Sequence, residues 1–346
     1  MDSTIASILL LDGLTNGAVY ALLGLATVLV FTVTRVIFIP QGEFVAYGAL
    51  TLAILQTGRV PGTVWLLLFL ACVAALMELV GRWQHHRNIH AALKSALKVL
   101  LVPAVVSVVT LWAAPQQFPL GVQALLSVAI VTAFGPLVYR VAFQSLEAAT
   151  PLVLLIVSVG VHFAMTGLGL LFFGAEGFRN PPFWDVRMNL GPVTVTGQTL
   201  IIFASALALI VLLWLFFERS LMGKALRATA VNRLGARLMG VSSNTAGQLS
   251  FAMAALIGAL SGLLIGPSTT VFYDSGFLIG LKGFVAAVVA GLSSYPGALV
   301  GALFVGVVEA FGSFWASAFK EVIVFTMILP ILLWRSLQGG HSDEEH

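Results

Sequence analysis

The sequence predicts an all-α polytopic membrane protein, a single transmembrane domain over 1–346 built as a glycine-rich bundle of about ten transmembrane or re-entrant helices, some of them broken. Three observations predict it. Of the 346 residues, 59% are hydrophobic and 9% are charged, with a mean hydropathy of +1.03, whereas soluble chains carry about 25% charged residues. The apolar residues gather in runs near the ~20 that cross a bilayer core. Glycine occurs 34 times, much of it at the four-residue spacing that lets helix backbones touch. A water-soluble fold would leave a wide surface with too few polar residues to cover it, so lipid must solvate most of this one. The runs are too long and too uniformly apolar for barrel strands. The net charge of +3 and the pI near 9.2 come from a few Lys and Arg in the breaks between runs. That pattern suits membrane topology, and no nucleic-acid partner is expected.

The first run, about 8–31, has no basic leader and no small-residue cleavage site, so it is expected to stay as a membrane helix rather than be removed as a signal peptide. Further runs lie at about 41–57, 62–80, 97–114, 120–139, 151–173, 198–217, 247–266, 281–311 and 319–335. Basic breaks mark the cytoplasmic face. Segment 218–246 carries Arg219, Lys224, Arg227, Arg233 and Arg237 against Glu218. Counting back from it one crossing at a time puts Arg140, the linker with Arg82, Arg87, Lys94 and Lys98, and Arg35 on the same side. The N-terminus and the segment 174–197, whose Glu176, Arg179, Asp185 and Arg187 balance, then lie outside. The run 281–311 is interrupted at Ser293-Ser294-Tyr295-Pro296-Gly297 and reads as one kinked span, two short ones, or a re-entrant piece and a span. Arg335 favours a cytoplasmic tail, which disfavours an even number of crossings after 266. Pairs such as Gly13 and Gly17, Gly258, Gly262 and Gly266, and Gly297 and Gly301 suit tight helix packing. The one cysteine, Cys72, sits in an apolar run, excludes an intramolecular disulfide and reads as a small buried hydrophobe.

The most informative break is Gly223–Val241. It reads as a helix of about 15 residues closed by Gly240, with Ala225, Ala228, Ala230, Gly235 and Ala236 set among Lys224, Arg227, Arg233 and Arg237. A topology signal needs only a few basic residues, whereas a helix with regularly placed small residues can dock in a groove of a partner. Ionisable residues inside runs are costly in hydrocarbon and so are functional candidates. Glu43 follows Pro40 and Gly42 at an expected helix break, His162 lies mid-run and is expected to bond a neighbouring helix, and Glu309 is expected to be structural. His86 and His90 would share a helix face, with His85 beside them. A helix pair supplies too few ligands for a metal, so that linker reads as a solvated or headgroup-facing basic segment, with no metal site and no cofactor. Gly223-Lys224 lacks the spacing and the following Ser or Thr of a nucleotide-binding loop. Nucleophile elbows and metalloprotease helices are absent too, which argues against an enzyme.

At this point a family resemblance becomes specific. Gly223, Ala225, Arg227, Ala228, Ala230, Asn232, Ala236, Gly240 and Val241 fill a pattern that resembles the ATPase-coupling motif of ABC-importer permeases, in the form found in the branched-chain amino acid permease family. The stretch Asp12–Leu22, with Asn16, Gly17, Tyr20, Ala21 and Leu22, resembles the opening element of that family, and Gln41-Gly42-Glu43-Phe44 its (H/Q)GEF element. Ala290–Gly301, with Ser294 and Gly297, resembles its GG-x-GS-x-x-GA-x-x-G element. The matches come in family order. Three departures stand beside them: Phe38 replaces a usual Asn and Pro40 a small residue, Ala290 replaces a Gly, and the stretch of about 60–118 reads as a two-helix insertion.

The resemblance implies a channel-forming subunit of an ABC importer for branched-chain or other hydrophobic amino acids in a bacterial inner membrane, with urea or short amides as the alternative cargo. It implies cytoplasmic ATPase subunits, a second homologous permease subunit and a periplasmic solute-binding protein as partners. It also implies a translocation pathway near Asn16, Tyr20, Gln41, Gly42, Glu43, Ser294 and Gly297, in broken helices whose freed backbone groups could contact a zwitterion.

Overall fold

The computed structural model describes residues 3–86, 89–147, 149–190, 193–327, 329–331 and 333, and describes side chains at all of these except 82–86, 89, 91, 92 and 190. Arg335 and Arg87, and the side chains of Arg82, His85 and His86, therefore lie outside the description. Among the described residues, eight helices are long and apolar enough to cross a membrane.

Helix α1 (Ser3–Thr34) is the axis of the bundle. From Gly17 to Val30 every residue is buried, and the helix packs on α12 (Tyr295–Trp315), α10 (Ser243–Ile265), α11 (Ser275–Val289) and α7 (Gly197–Arg219). Small residues make this possible: a Cβ added at Gly13 would fall 2.7 Å from Val307 Cα, and one at Gly306 would fall 2.6 Å from Gly17 Cα. With no hydrophobic drive between helices in lipid, such backbone contact supplies much of the association. The chain leaves α1 through Arg35, whose φ of 62° is left-handed, and Pro40 then opens α2 (Gln41–Gln56). Helix α2 is buried on all sides. At 16 residues it spans about 24 Å, short of a full bilayer core, and it is the scaffold for much of the site. Its backbone carbonyls receive Ser127 Oγ (2.7 Å to Gly48 O) and Asn180 Nδ2 (3.1 Å to Ala49 O). Phe38 fills the break in front of it, ringed by Phe44, Phe143 and Phe251.

Helices α3 (Thr63–His86) and α4 (Ile89–Ala113) pack on each other and on α5 (Leu120–Val138), at the rim of the bundle. Cys72 is exposed on the outer face of α3, which corrects the buried reading: a run that is apolar all round does not reveal which face meets lipid. Helix α5 continues through a π turn, Tyr139–Phe143, and a 3₁₀ turn, Gln144–Leu146. Helix α6 (Pro151–Phe173) is mostly lipid-facing and is tied to the interior by Tyr47 Oη donating to Met165 O (2.7 Å) and Ile39 N to Ser158 Oγ (2.9 Å).

Beyond α6 the chain pairs with the segment after α10, through Phe178 and Val271 and through Arg179 Nε donating to Pro267 O (2.9 Å). It then forms an antiparallel hairpin of β1 (Arg187–Leu190) and β2 (Val193–Thr196). The run 281–311 is two helices, α11 and α12, divided by a turn in which Gly291 (φ 72°) and Leu292 (φ 58°) are left-handed. A short α13 (Lys320–Thr326) follows and packs on α12. The two ends of the bundle differ in charge. One gathers Arg35, Arg140, Arg219, Lys224, Arg227, Arg233 and Arg237 against Glu147 and Glu218, with Arg233 donating to Thr34 O and Arg140 to Gln248; at the other, Arg59, Arg179 and Arg187 balance Glu176, Asp185 and Asp274.

Gly306→Val should lower the thermal stability of the detergent-solubilised protein by an overpacking cost of about 1–3 kcal/mol or more, because Gly17 backbone blocks the added carbons. Gly160→Ala, with open space around it, should be neutral or stabilising. Equal behaviour of the two variants in a thermal melt would refute the backbone contact between α1 and α12.

Candidate translocation and coupling site

Among the described residues, two polar assemblies interrupt the apolar interior and a third lies at the basic end. The first joins α1, α11, α12 and α13. Lys282 Nζ donates to Glu309 Oε1 at 2.6 Å and to Glu321 Oε1 at 3.1 Å, and Tyr20 Oη donates to Glu309 Oε2 at 2.6 Å. The ammonium also lies 5.6 Å from the centroid of the Tyr20 ring. Lys282 and Glu309 side chains are 6% and 9% exposed, so neither charge can rely on water and each depends on the other. Sequence reasoning found Glu309 and Tyr20 but passed over Lys282, whose long apolar neighbours mask a lone cation. Its position inside a run was the available signal.

The second assembly sits at the opening of α2. Gln41 Nε2 donates to Ala254 O at 2.9 Å, and Glu43 Oε1 lies 3.0 Å from His162 Nδ1 on α6. The His162 ring stacks near Phe277, with centroids 4.7 Å apart. Gln41 and Glu43 are buried, with Thr166 close to the Glu43 carboxylate, yet among the described residues no group meets Gln41 Oε1 or Glu43 Oε2 in hydrogen-bonding geometry. Two orphaned acceptors at one broken helix start are a costly arrangement in a protein interior. Gly42 is what admits α11 here: a Cβ on it would fall 2.8 Å from Gly280 Cα, and one on Gly280 2.7 Å from Gly42 N. Asn16 is half-buried on α1, one residue before Gly17, and its side chain makes no hydrogen bond with a described residue.

The third assembly is the basic end. The predicted single helix is two, α8 (Leu221–Val231) and α9 (Arg233–Leu238). Asn232 breaks it, because its side chain caps α9 by accepting from Gly235 N at 2.9 Å while its own backbone is extended (φ −147°, ψ 99°). Ser220 caps α8 in the same way, through Gly223 N at 2.9 Å. Gly240, at φ 86°, ends α9: Val241 N bonds Ala236 O at 2.9 Å and Gly240 N bonds Arg237 O at 3.0 Å, the paired bonds of a Schellman turn. Arg227, Ala228, Asn232, Gly235, Ala236 and Met239 border an open notch between the two helices, of about 510 Å³, with Ala225 and Ala230 half-buried nearby. Leu221, Val231, Leu234, Leu238 and Met239 stand 68–86% exposed. The hairpin is anchored: Leu226 is buried against Leu29, Val33 and Ala246, Arg237 donates to Ser243 Oγ at 2.7 Å and pairs with Glu147, and a Cβ at Gly223 would meet Phe217 Cα at 2.7 Å.

Ser294 and Gly297 belong to this end and stand apart from the other predicted pathway residues. Ser294 Oγ caps α12 by accepting from Gly297 N at 3.2 Å, and Tyr295 stacks near Phe217 with centroids 5.7 Å apart.

A multi-pass helical bundle held by glycine crossings, with charges paired inside it and a rigid basic hairpin held out at one end, is the architecture of a membrane transport permease. The chain belongs to the family described as the branched-chain amino acid transport system, permease component, whose profile matches residues 95–332. That match takes in the hairpin and the 290–301 turn and leaves out Asp12–Leu22 and Gln41–Phe44. Among curated relatives, the chain is similar to the high-affinity branched-chain amino acid transport system permease protein BraD of Pseudomonas aeruginosa, at 31% identity over 60% of this chain and 70% of the relative. It is also similar to the LivH permease proteins of the same description from Salmonella typhimurium (29% identity) and Escherichia coli K12 (28%), over the same shares. A solved structure, PsaBC from Streptococcus pneumoniae in complex with Fab, overlaps 93% of this chain and 88% of its own at 12% identity and a TM-score of 0.36, a likeness too weak to bear on the fold. The family is one of transport components, not of enzymes.

Lys282→Met leaves Glu309 buried without its counter-charge and should cost about 3–5 kcal/mol. Lys282→Met with Glu309→Gln should recover most of that loss in a thermal melt of the purified protein. A double variant no more stable than the single one would show that the two groups are not coupled.

Proposed function

We propose that this chain is the channel-forming permease subunit of an ABC importer that carries branched-chain or other hydrophobic amino acids across a bacterial inner membrane. The hairpin α8–α9 carries the proposal. It is capped at both ends, braced from beneath and apolar on its outer surface, amid Lys224, Arg227, Arg233 and Arg237. A soluble protein rarely leaves five large apolar side chains together in water, so the surface calls for a partner, and a cytoplasmic ATPase subunit is the partner that an importer without its own nucleotide-binding loop requires. Gly223, Ala225, Arg227, Ala228, Ala230, Asn232, Ala236 and Gly240 form the coupling element. The excess of Arg at this end supports its placement in the cytoplasm. The remaining partners are a second, homologous permease subunit and a periplasmic solute-binding protein that delivers to the opposite end.

Mechanically, a push on the hairpin reaches α1 through Leu226, Leu29, Val33 and the Arg233 bond to Thr34, and reaches α10 through Arg237 and Ser243. Helix α1 then moves α11 and α12 with it, because their backbones are in contact, and the bundle rocks as a body. Along the pathway, Gln41 Oε1 and Glu43 Oε2 are the acceptors suited to the ammonium of a zwitterion, with Asn16 and Tyr20 on α1, Gly42 at the break, and Ser294 and Gly297 at the inner end. The rim pair α3–α4 is the insertion over about 60–118, which preserves topology by adding two crossings.

Leu238→Asp and Met239→Asp change only exposed side chains, so the protein should reach the membrane in normal amount. Each should cut energised leucine uptake about tenfold or more, as loss of an interface anchor does. Glu43→Gln should lower leucine uptake with ATPase coupling intact. Full uptake by all three variants would remove both assignments, and uptake of urea alone by wild type would move the cargo to short amides.

A further inference from the structure

A cavity of about 650 Å³ opens at the basic end between the last turns of α1, the last turns of α7, the side of α8 that carries Leu226 and Ala230, and the turn before α12. Its size falls within the ~300–1,000 Å³ of small-molecule sites, and its lining changes character along its length. Toward the bundle centre it is bounded by Leu25, Ile210, Leu213 and Leu299; at its mouth stand Arg35 and Arg227, beside Tyr295 and Ser293. Leu25 and Arg35 are ten positions apart on and just past one helix, about 15 Å along the axis. That is half of a hydrocarbon core about 30 Å thick, the depth of one leaflet.

The two cations at the mouth are unevenly committed. Arg35 is exposed, is fixed in a left-handed backbone (φ 62°) by its N–H bond to Phe31 O at 2.8 Å, and its side chain has no hydrogen bond or ion pair with any described residue. Arg227 pairs with Glu218 at 2.8 Å, but the two side chains are 52% and 43% exposed, a geometry in which ion pairs hold weakly. Two cations, Arg35 and Arg227, against the one anion, Glu218, leave the mouth with net positive charge. Trp214 lines the groove and is 58% exposed.

We infer that this groove binds one anionic glycerophospholipid, its phosphate on Arg35 and Arg227 and one acyl chain against Leu25, Leu213, Trp214 and Leu299. A helix of a second subunit is the competing occupant, and it would need an acidic end to satisfy Arg35. The lipid satisfies both ends with chemistry that the bilayer supplies. Because Leu226, Arg227 and Ala230 of α8 line the same groove, the bound lipid braces the hairpin against α1 and α12. Placing the site in the cytoplasmic leaflet rests on the orientation proposed above; the binding itself does not.

Trp214 reports on the groove directly. The purified full-length protein is reconstituted in phosphatidylcholine vesicles, and brominated phosphatidylglycerol or brominated phosphatidylcholine is titrated in while tryptophan fluorescence is read. Subtracting the signal of Trp214→Phe isolates the one residue among the seven tryptophans. The expected result is quenching of Trp214 at a mole fraction of phosphatidylglycerol at least about fivefold lower than of phosphatidylcholine, a preference reduced about fivefold by Arg35→Gln and erased by Arg35→Gln with Arg227→Gln. Equal quenching by the two lipids, or a preference that survives the double variant, overturns the proposal. So does an absence of quenching joined to a disulfide cross-link from a cysteine placed at Leu299 to a second subunit. None of these readouts depends on transport, so a wrong cargo or a wrong coupling surface leaves the lipid result standing.

Discussion

The close approach of α1 to α12 at Gly13, Gly17 and Gly306 is the constraint on which the rest of the structure depends. In lipid, apolar side chains gain little by leaving the acyl chains for one another, so helices are held by fit and by polar contacts. Glycine lets α1 sit with its backbone against a neighbour, and α10, α11 and α7 close the remaining sides. With α1 enclosed, the buried Tyr20 hydroxyl donates to Glu309, and Glu309 in turn needs Lys282. The polar cluster is a consequence of the packing as much as a cause of it. It also fixes the register between α1, α11 and α12, since sliding α11 or α12 by one residue would part Lys282 from Glu309, and sliding α1 would part the Tyr20 hydroxyl from Glu309.

The same logic relates the two ends of the chain's working parts. The hairpin α8–α9 is small, yet Ser220, Asn232 and Gly240 give it defined ends, and Leu226 and Arg237 bind it to different helices. A short element transmits force only if it does not fray, and capping supplies about 1 kcal/mol at each such site. The opening of α2, by contrast, is left with two acceptors unanswered. The bundle is capped and braced at the hairpin, and polar, unsatisfied and glycine-lined at the opening of α2.

Much of this was legible in the sequence because it follows from local chemistry. The apolar runs gave the helices, the Arg-rich break gave the exposed element, and Gly240 announced the end of α9 because a left-handed residue there is nearly always glycine or asparagine. The division at Asn232 was also written locally, since an Asn three residues before Gly235 is a cap signal, but the regular alanines around it suggested one continuous helix. What was not legible is long-range. Lys282 meets Glu309 across 27 positions and Glu321 across 39, and Tyr20 meets Glu309 across 289. Nothing in a run of apolar residues tells which lone charge has a partner. For the same reason the outward face of Cys72 and the splitting of predicted pathway residues between mid-bundle and the basic end emerged only once the helices were assembled.

The end of the bundle opposite the hairpin is laced together within the chain. Phe178 and Val271 exchange backbone hydrogen bonds at 2.9 and 2.8 Å, Asn180 N bonds Gly266 O at 3.2 Å, and Arg179 reaches the carbonyl of Pro267. These stitches join the segment after α6 to the segment after α10, so the two cannot part without breaking buried main-chain bonds. Any opening of that end must therefore carry the two segments together, as one stiff edge rather than as two independent flaps.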